Sequence, residues 1–262
     1  MTHQLSSLVI TPSRFFVSPD VYSVTETDGT VILNINSGRL YSLVSAGSVA
    51  WRKISEDPVG TTVESVTADL IEKGMFVDQS RHDTWQAVER MLNKLVELGI
   101  VYRNDRKRNP VYSNKIGGFV GSGIVFLSRR IAAALIELKF YAIAAFVCLL
   151  MFHMVIKLAG FPHMYYVAKK WPVAQIKSTD KRMVDAIGRA TNRACVWYPK
   201  KAMCLPRAIV TTCLLRQVGI AAVSVIAVQK NPFVGHAWTE VKGKIASDET
   251  VVRNDYGILE RI

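Results

Sequence analysis

The chain lacks three patterns that would each point to a familiar chemistry. None of its four cysteines forms a C-x-x-C pair, so neither a zinc site nor a redox pair is indicated. It has no glycine-rich phosphate loop, so we expect no nucleotide site. We also expect no bound cofactor and no metal. We also expect no cleavable signal peptide at the Met1 end, which favours the cytoplasm and reduced thiols.

Positive charge is confined to the back of the chain. Residues 1–100 hold 8 Lys and Arg against 12 Asp and Glu, a net charge of −4. Residues 101–262 hold 25 against 9, a net charge of +16. A length of 262 residues is enough for two domains, and the difference in charge indicates that the two parts have different roles. The sequence predicts domains over 1–103 and 123–262.

Three residue types of hydrolytic chemistry follow one another in the last third of the chain. Cys204 stands in KAMCLPRAIV, His236 in FVGHAWTEV and Asp248 in KGKIASDET. A thiol nucleophile needs a neighbouring base to take its proton, and a carboxylate on the other ring nitrogen orients that base. The order therefore predicts a cysteine hydrolase with nucleophile, base and orienting residue.

The segment after Cys204 predicts a helix. Its apolar residues recur at helical spacing until Gly219, which is typical of a residue that ends a helix. Cys204 is then at the helix N-terminus, where the helix dipole stabilises a thiolate. Pro206 suits the first helical turn, because no backbone N–H bond is lost there.

Strands are predicted after this helix, over 220–228, 237–241 and 245–248. Lys242, Gly243 and Lys244 are typical of a tight turn between the last two. His236 and Asp248 thus fall on neighbouring strands, and antiparallel pairing brings such residues side by side.

These segments resemble a known family. A helix-borne Cys followed by strand-borne His and Asp, within CLPRA, LLRQVGI, FVGHAWTEV and ASDE, is similar to the transglutaminase-like cysteine proteases that remove leader peptides during lasso-peptide maturation. The similarity covers roughly residues 193–251. It implies an overall α+β fold with a C-terminal transglutaminase-like, papain-like peptidase domain. It also implies a partner, an asparagine-synthetase-like lactam synthetase, through which any ATP dependence would enter.

The oxyanion of the tetrahedral intermediate needs fixed hydrogen-bond donors. The backbone N–H of Cys204 is one candidate, and the side chain of Trp197 or Tyr198 is another. Both aromatics have packing against the core as the alternative role. They stand at the end of a helix predicted between 172 and 198, as expected before the nucleophile of a transglutaminase-like fold.

The first hundred residues predict three strands followed by three helices. The hairpin signals Asp28-Gly29 and Asn36-Ser37-Gly38 separate the strands, which are predicted over 21–26, 30–34 and 39–43. Apolar residues at helical spacing predict the helices over 47–55, 62–73 and 84–98.

This order, with LNINSGRLYSL leading into AWRKI and KLVELGIV at the end, resembles the small winged-helix domains that bind leaders of ribosomally made peptides, notably the pyrroloquinoline-quinone precursor-binding type. The resemblance implies that the leader adds as a strand beside 39–43 and contacts the 84–98 helix. The candidate contacts are Arg39, Leu40, Tyr41, Leu43, Val88, Met91 and Leu92. Ordinary sheet core is the alternative role for the strand residues among them.

A winged helix also raises the possibility of DNA binding. Proteins that bind DNA need Lys and Arg to neutralise phosphates, whereas residues 1–100 carry a net charge of −4. We therefore expect a peptide partner and no nucleic acid.

Residues 103–122 hold a basic cluster, one proline and several glycines without a sustained period, so we expect a linker over 104–122. The following stretch, 131–160, is mostly apolar. Within it, 140–156 gives 17 residues interrupted only by His153, at the short limit for a membrane span. A helix packed inside the domain, contact with a membrane surface and a true span all remain open.

Two other functions also remain open. The same three residues would carry out amide transfer or deamidation if another nucleophile replaced water. If Cys204, His236 and Asp248 were catalytically inactive, the domains would act as a scaffold that only delivers a precursor.

Overall fold

The computed structural model describes residues 13–26, 29–76, 79–104, 115–175, 181–199, 204–229, 234–246 and 256–262. The chain divides into two compact units. The first consists of Met1–Asn34 and Leu40–Pro110, and the second of Ile35–Arg39 and Val111–Ile262. Helices and strands occur in both.

The first unit contains the three predicted strands and a further pair that the sequence did not predict. They are β1 (Phe15–Val17), β2 (Val21–Glu26), β3 (Gly29–Asn34), β4 (Arg39–Leu43) and β5 (Val101–Arg103). The order β2-β3-β4 forms one sheet, and β1 pairs antiparallel with β5. Among the strands of the described residues, β4 is therefore at one edge of this three-stranded sheet.

The three predicted helices are also present, as α1 (Ala46–Glu56), α2 (Val63–Glu72) and α3 (Arg81–Glu97). Helix α3 begins three residues earlier than predicted, because the Ser80 hydroxyl accepts a hydrogen bond from the backbone N–H of Asp83 at 3.1 Å. Thr62 caps α2 in the same way, accepting from Ser65 at 3.2 Å. The helices pack their apolar faces around the fully buried Trp51.

The described part of the second unit contains four helices and a sheet. The helices are α4 (Lys115–Glu137), α5 (Tyr141–Lys169), α6 (Lys181–Trp197) and α7 (Cys204–Gln217). The strands are β6 (Ala222–Gln229), β7 (Val234–Val241), β8 (Lys244–Ile245) and β9 (Gly257–Arg261), in the order β8-β7-β6-β9. Strand β9 was not predicted. The predicted tight turn is confirmed, since Lys242 and Gly243 have φ of 50° and 75° and Val241 pairs with Lys244.

The prediction of a linker over 104–122 is wrong for its second half, because α4 begins at Lys115. Glycine was interpreted as a sign of a loop, whereas here it permits close packing. A Cβ on Gly121 would come within 2.9 Å of His163 Nε2 on α5. The cost of about 1 kcal/mol for a glycine inside a helix is outweighed by the contact between α4 and α5.

Helix α5 contains the predicted apolar stretch and bends at Gly160, whose φ of 83° is not helical. By length and composition alone, the helix is apolar enough to cross a membrane. It also supplies fully buried side chains to the unit, among them Phe152 and Val155. A helix packed in the core of a domain can be equally long and apolar, so length and composition do not establish a membrane span.

Arg216, near the end of α7, joins four segments of the second unit. Its guanidinium donates hydrogen bonds to the carbonyls of Ala222, Ala168 and Ile262 at 2.8, 2.9 and 3.0 Å. The side chain is buried, and burial lowers its pKa, although a guanidinium keeps its proton in proteins. Arg216 thereby fixes the ends of α5 and α7 against β6 and the residue after β9.

Candidate active site

Helix α7 covers one face of the sheet and is held there by hydroxyl groups. Thr239 on β7 donates to the carbonyl of Ala208 at 3.0 Å, and Ser224 on β6 donates to the Thr212 hydroxyl at 2.8 Å. All four residues are buried, so these bonds are shielded from water. They fix the first turns of α7, and with them the position of Cys204.

Cys204 is the first residue of α7, as predicted, and is half-buried. Its Sγ lies 4.0 Å from the carbonyl oxygen of Gly235 on β7, to which the thiol donates. Gly235 directly precedes His236. The structure therefore brings the thiol to the start of the strand that carries the predicted base.

His236 lies on β7 opposite Ala227 of β6, which confirms the predicted strand position. Because side chains alternate along a strand, His236 and Trp238 lie on the face away from α7. The two rings stack with centroids 6.1 Å apart, and Tyr256 packs on the imidazole at 5.8 Å. The Cys204 thiol therefore contacts the backbone of β7 beside His236, whereas the imidazole itself packs with Trp238 and Tyr256.

Glu240 is a buried carboxylate on the same face of β7 as His236, and no sequence motif singles it out. Its side chain is 3% exposed and accepts from Trp238 Nε1 at 3.1 Å and from Arg261 Nη1 at 2.6 Å. The carboxylate thus fixes the indole that stacks on His236. Side chains two positions apart on a strand share a face, so the sequence spacing of His236, Trp238 and Glu240 could have indicated this arrangement.

We expect Glu240→Gln to lower the free energy of unfolding by about 1 to 3 kcal/mol, because it removes the buried charge that the Trp238 indole and the Arg261 guanidinium share. Urea unfolding followed by tryptophan fluorescence measures the loss. Glu137→Gln on the exposed end of α4 is the control and should stay within about 0.5 kcal/mol of the parent. Equal stability of the two variants would contradict the role of Glu240.

The third triad residue, Asp248, lies outside the described residues, so its predicted place beside His236 stays a prediction. Trp197 and Tyr198 stand at the end of α6. Trp197 is 55% exposed, and the Tyr198 ring packs edge-on against Phe146 and His153. Partial burial raises the pKa of Tyr198. Tyr198 therefore packs against other side chains, which is the alternative role named for it in the sequence analysis.

The other three thiols differ from Cys204 in their surroundings. Cys148 and Cys213 are fully buried, and burial raises the pKa of Cys148 to about 12 and that of Cys213 well above its usual value. Burial also raises the pKa of the half-buried Cys195. A raised pKa leaves less thiolate at neutral pH, so none of the three is suited to attack a peptide bond.

The predicted leader contacts divide between surface and core. Val88 and Leu92 are 2% and 0% exposed, so they face the core of the first unit and not a surface groove. Tyr41, Leu43 and Met91 are half-buried against that core. On β4, Arg39 is exposed and Leu40 is half-buried.

No group of three or more His, Cys, Asp or Glu is placed to hold a metal ion in the part of the chain that the structure describes. Residues 147–261 match the family model described as the transglutaminase-like superfamily. The C-terminal part is a transglutaminase-like domain. No curated protein and no solved structure matches the chain. The superfamily commonly contains cysteine-dependent enzymes, including cysteine peptidases, and the matched range includes Cys204, His236 and Asp248.

Proposed function

We propose that this protein is a cysteine peptidase that binds the leader of a ribosomally made precursor and cleaves it from the core during lasso-peptide biosynthesis. The observation that carries the proposal is the thiol of Cys204 at the start of α7, 4.0 Å from the carbonyl next to His236. A helix N-terminus stabilises a thiolate. In the proposed mechanism the imidazole of His236 takes the proton of the thiol.

In the proposed reaction, Sγ of Cys204 attacks the carbonyl carbon of the bond between leader and core. A carbon–sulfur bond forms, and the backbone N–H of Cys204 stabilises the oxyanion. His236 then gives its proton to the amide nitrogen, so that the carbon–nitrogen bond breaks and the core leaves with a free amine. Water activated by His236 attacks the thioester, which releases the leader as a carboxylate and restores the thiol. Asp248 is the proposed orienting residue of His236.

The proposed leader site is the edge of β4 in a winged-helix-like first unit. An edge strand leaves main-chain donors and acceptors on one side for a further strand, and β4 ends its sheet. The half-buried Tyr41, Leu43 and Met91 offer apolar surface at the same core cluster. The net charge of −4 over residues 1–100 favours a peptide over a nucleic acid. The freed core amine would pass to the lactam synthetase partner.

The test compares cleavage of a precursor that carries its full leader with cleavage of the same peptide truncated to the few leader residues directly before the scissile bond. We expect the full chain to cleave the complete precursor with a kcat/KM at least about tenfold higher, because binding the leader raises the effective concentration of the scissile bond. Equal kcat/KM for the two substrates would contradict leader binding.

Met91→Glu locates the site on the first unit. A charge at this half-buried position should raise KM for the complete precursor about tenfold or more and leave cleavage of the truncated peptide unchanged. Asn93→Glu adds the same charge at an exposed position of α3 and serves as the control. An identical effect of the two variants would place the leader elsewhere.

A further inference from the structure

The turn between α4 and α5 exposes large apolar side chains at neighbouring positions. Leu138, Phe140 and Ile143 are 65%, 52% and 46% exposed. Between the first two, Lys139 has a φ of 61°, a conformation that non-glycine residues adopt rarely. We call this segment, residues 138–143, the hairpin tip. Clustered exposed apolar residues mark an interaction site more often than an ordinary surface does.

The end of α6 lies next to the hairpin tip and adds positive charge. Arg189, Arg193 and Trp197 line a cavity of about 400 Å³ together with Lys139 and Phe140. Both arginines are exposed, and Trp197 is 55% exposed. Three cations and an indole therefore surround one opening beside the apolar side chains.

These cations have no acidic partners within the described chain. No carboxylate of the described residues lies in ion-pair distance of Lys139, Arg189 or Arg193. Glu137 is the exposed acidic residue next to the tip, so the three cations outnumber it. The surface thus keeps a positive charge that an anionic ligand would neutralise.

Apolar exposure continues from the tip along α4. Leu127 and Ile131 are 60% and 41% exposed and are four residues apart, on one face of α4. Meanwhile α5 keeps Phe152 and Val155 in the core of the unit. The hairpin therefore presents an apolar stripe while it stays packed in the domain, which suits contact along a surface and not a span.

We propose that the hairpin tip and the end of α6 dock on an anionic phospholipid bilayer. The tip residues Leu138 and Phe140 enter the boundary between headgroups and acyl chains. Lys139, Arg189 and Arg193 bind lipid phosphates, and Trp197 lies at headgroup level, as amphipathic indoles do. A mixed surface of cations, an indole and aliphatic side chains matches the three layers of an anionic membrane. This docking goes beyond the proposed peptidase activity and does not depend on it.

Flotation of the full chain with vesicles tests the docking. We expect binding to vesicles of phosphatidylcholine with phosphatidylglycerol, weaker binding as salt rises, and little binding to phosphatidylcholine alone. The same vesicles should shift tryptophan emission to the blue, because Trp197 is far more exposed than the buried Trp51, Trp171 and Trp238. Trp197→Phe should remove that shift.

Matched variants separate this surface from general charge and hydrophobicity. Arg189→Gln with Arg193→Gln should weaken vesicle partitioning by about thirtyfold, since each cation contributes about fivefold near an anionic surface. Lys242→Gln with Lys244→Gln removes two cations elsewhere in the unit and should leave partitioning within a few fold of the parent. Leu138→Ser with Phe140→Ser should weaken partitioning strongly, whereas Val59→Ser, at a residue also 65% exposed, should not.

Equal binding to neutral and anionic vesicles, or no binding at low salt, would overturn the proposal. Equal losses in the test and control variants would also overturn it, because they would indicate a nonspecific surface. Retained binding after Leu138→Ser with Phe140→Ser would show that the tip does not enter the bilayer and would overturn it as well.

Discussion

Cys204→Ala should abolish cleavage of the precursor while binding of the leader persists. Alanine removes the only atom that forms the carbon–sulfur bond, so we expect kcat/KM to fall by roughly a thousandfold or more. Mass spectrometry of the reaction products measures cleavage, and fluorescence anisotropy of a labelled leader measures binding. Cleavage by this variant at the parental rate would remove Cys204 from the mechanism.

The other thiols and the base provide the controls for Cys204. Cys195→Ala and Cys213→Ala should leave cleavage largely intact, because one thiol lies on α6 and the other is fully buried on α7. His236→Ala should match Cys204→Ala in severity, and combining the two should add little, since residues of one catalytic unit are non-additive. Asp248→Ala should cost less if the carboxylate only orients the imidazole.

Arg216→Met should destabilise the second unit by about 3 kcal/mol or more. Methionine has similar bulk and no donors, so the buried carbonyls of Ala168 and Ala222 would lose their Arg216 bonds. Urea unfolding followed by fluorescence measures the change. Because folded domains are typically stable by only about 5 to 15 kcal/mol, we also expect a lower yield of soluble variant protein from cells.

Arg189→Met on α6 is the matched control for this stability test. Its side chain is exposed and makes no ion pair with the described residues, so the substitution should change stability by no more than about 0.5 kcal/mol. Arg216→Lys should recover little of the loss, because one ammonium group cannot reach three carbonyls in the fork geometry of a guanidinium. Parental stability of Arg216→Met would contradict the role given to Arg216.

Local patterns predicted the elements that carry the chemistry. The helical spacing after Cys204 located α7, and Lys242-Gly243 located the turn after β7. Both signals lie within a few residues of the feature that they predict. The strand position of His236 followed from the same local reasoning.

Long-range pairing could not be predicted in this way. Strand β1 pairs with β5, where Phe15 is opposite Arg103, far along the chain. Glu240 on β7 forms an ion pair with Arg261 on β9. No periodicity links such positions, because each depends on the packing of everything between them. Glycine was misleading for a related reason, since Gly121 is explained by His163 on another helix.

The residues predicted to bind the leader include both core and surface positions, for a third reason. Alternation and helical spacing identify which positions are apolar, but not which of them meet the core. Val88 and Leu92 are apolar because they are buried, whereas Met91 is only half-buried. Burial, and not composition, separates candidate binding residues from structural ones.

Hydrolysis of the precursor in heavy-oxygen water tests the central claim most directly. If Cys204 forms a thioester that water resolves, one heavy oxygen enters the new C-terminal carboxylate of the leader, and the released core carries none. Mass spectrometry of both fragments after incubation with the full chain would detect the label, and Cys204→Ala would give neither fragment. A joined product without the heavy oxygen would contradict hydrolysis and identify amide transfer instead.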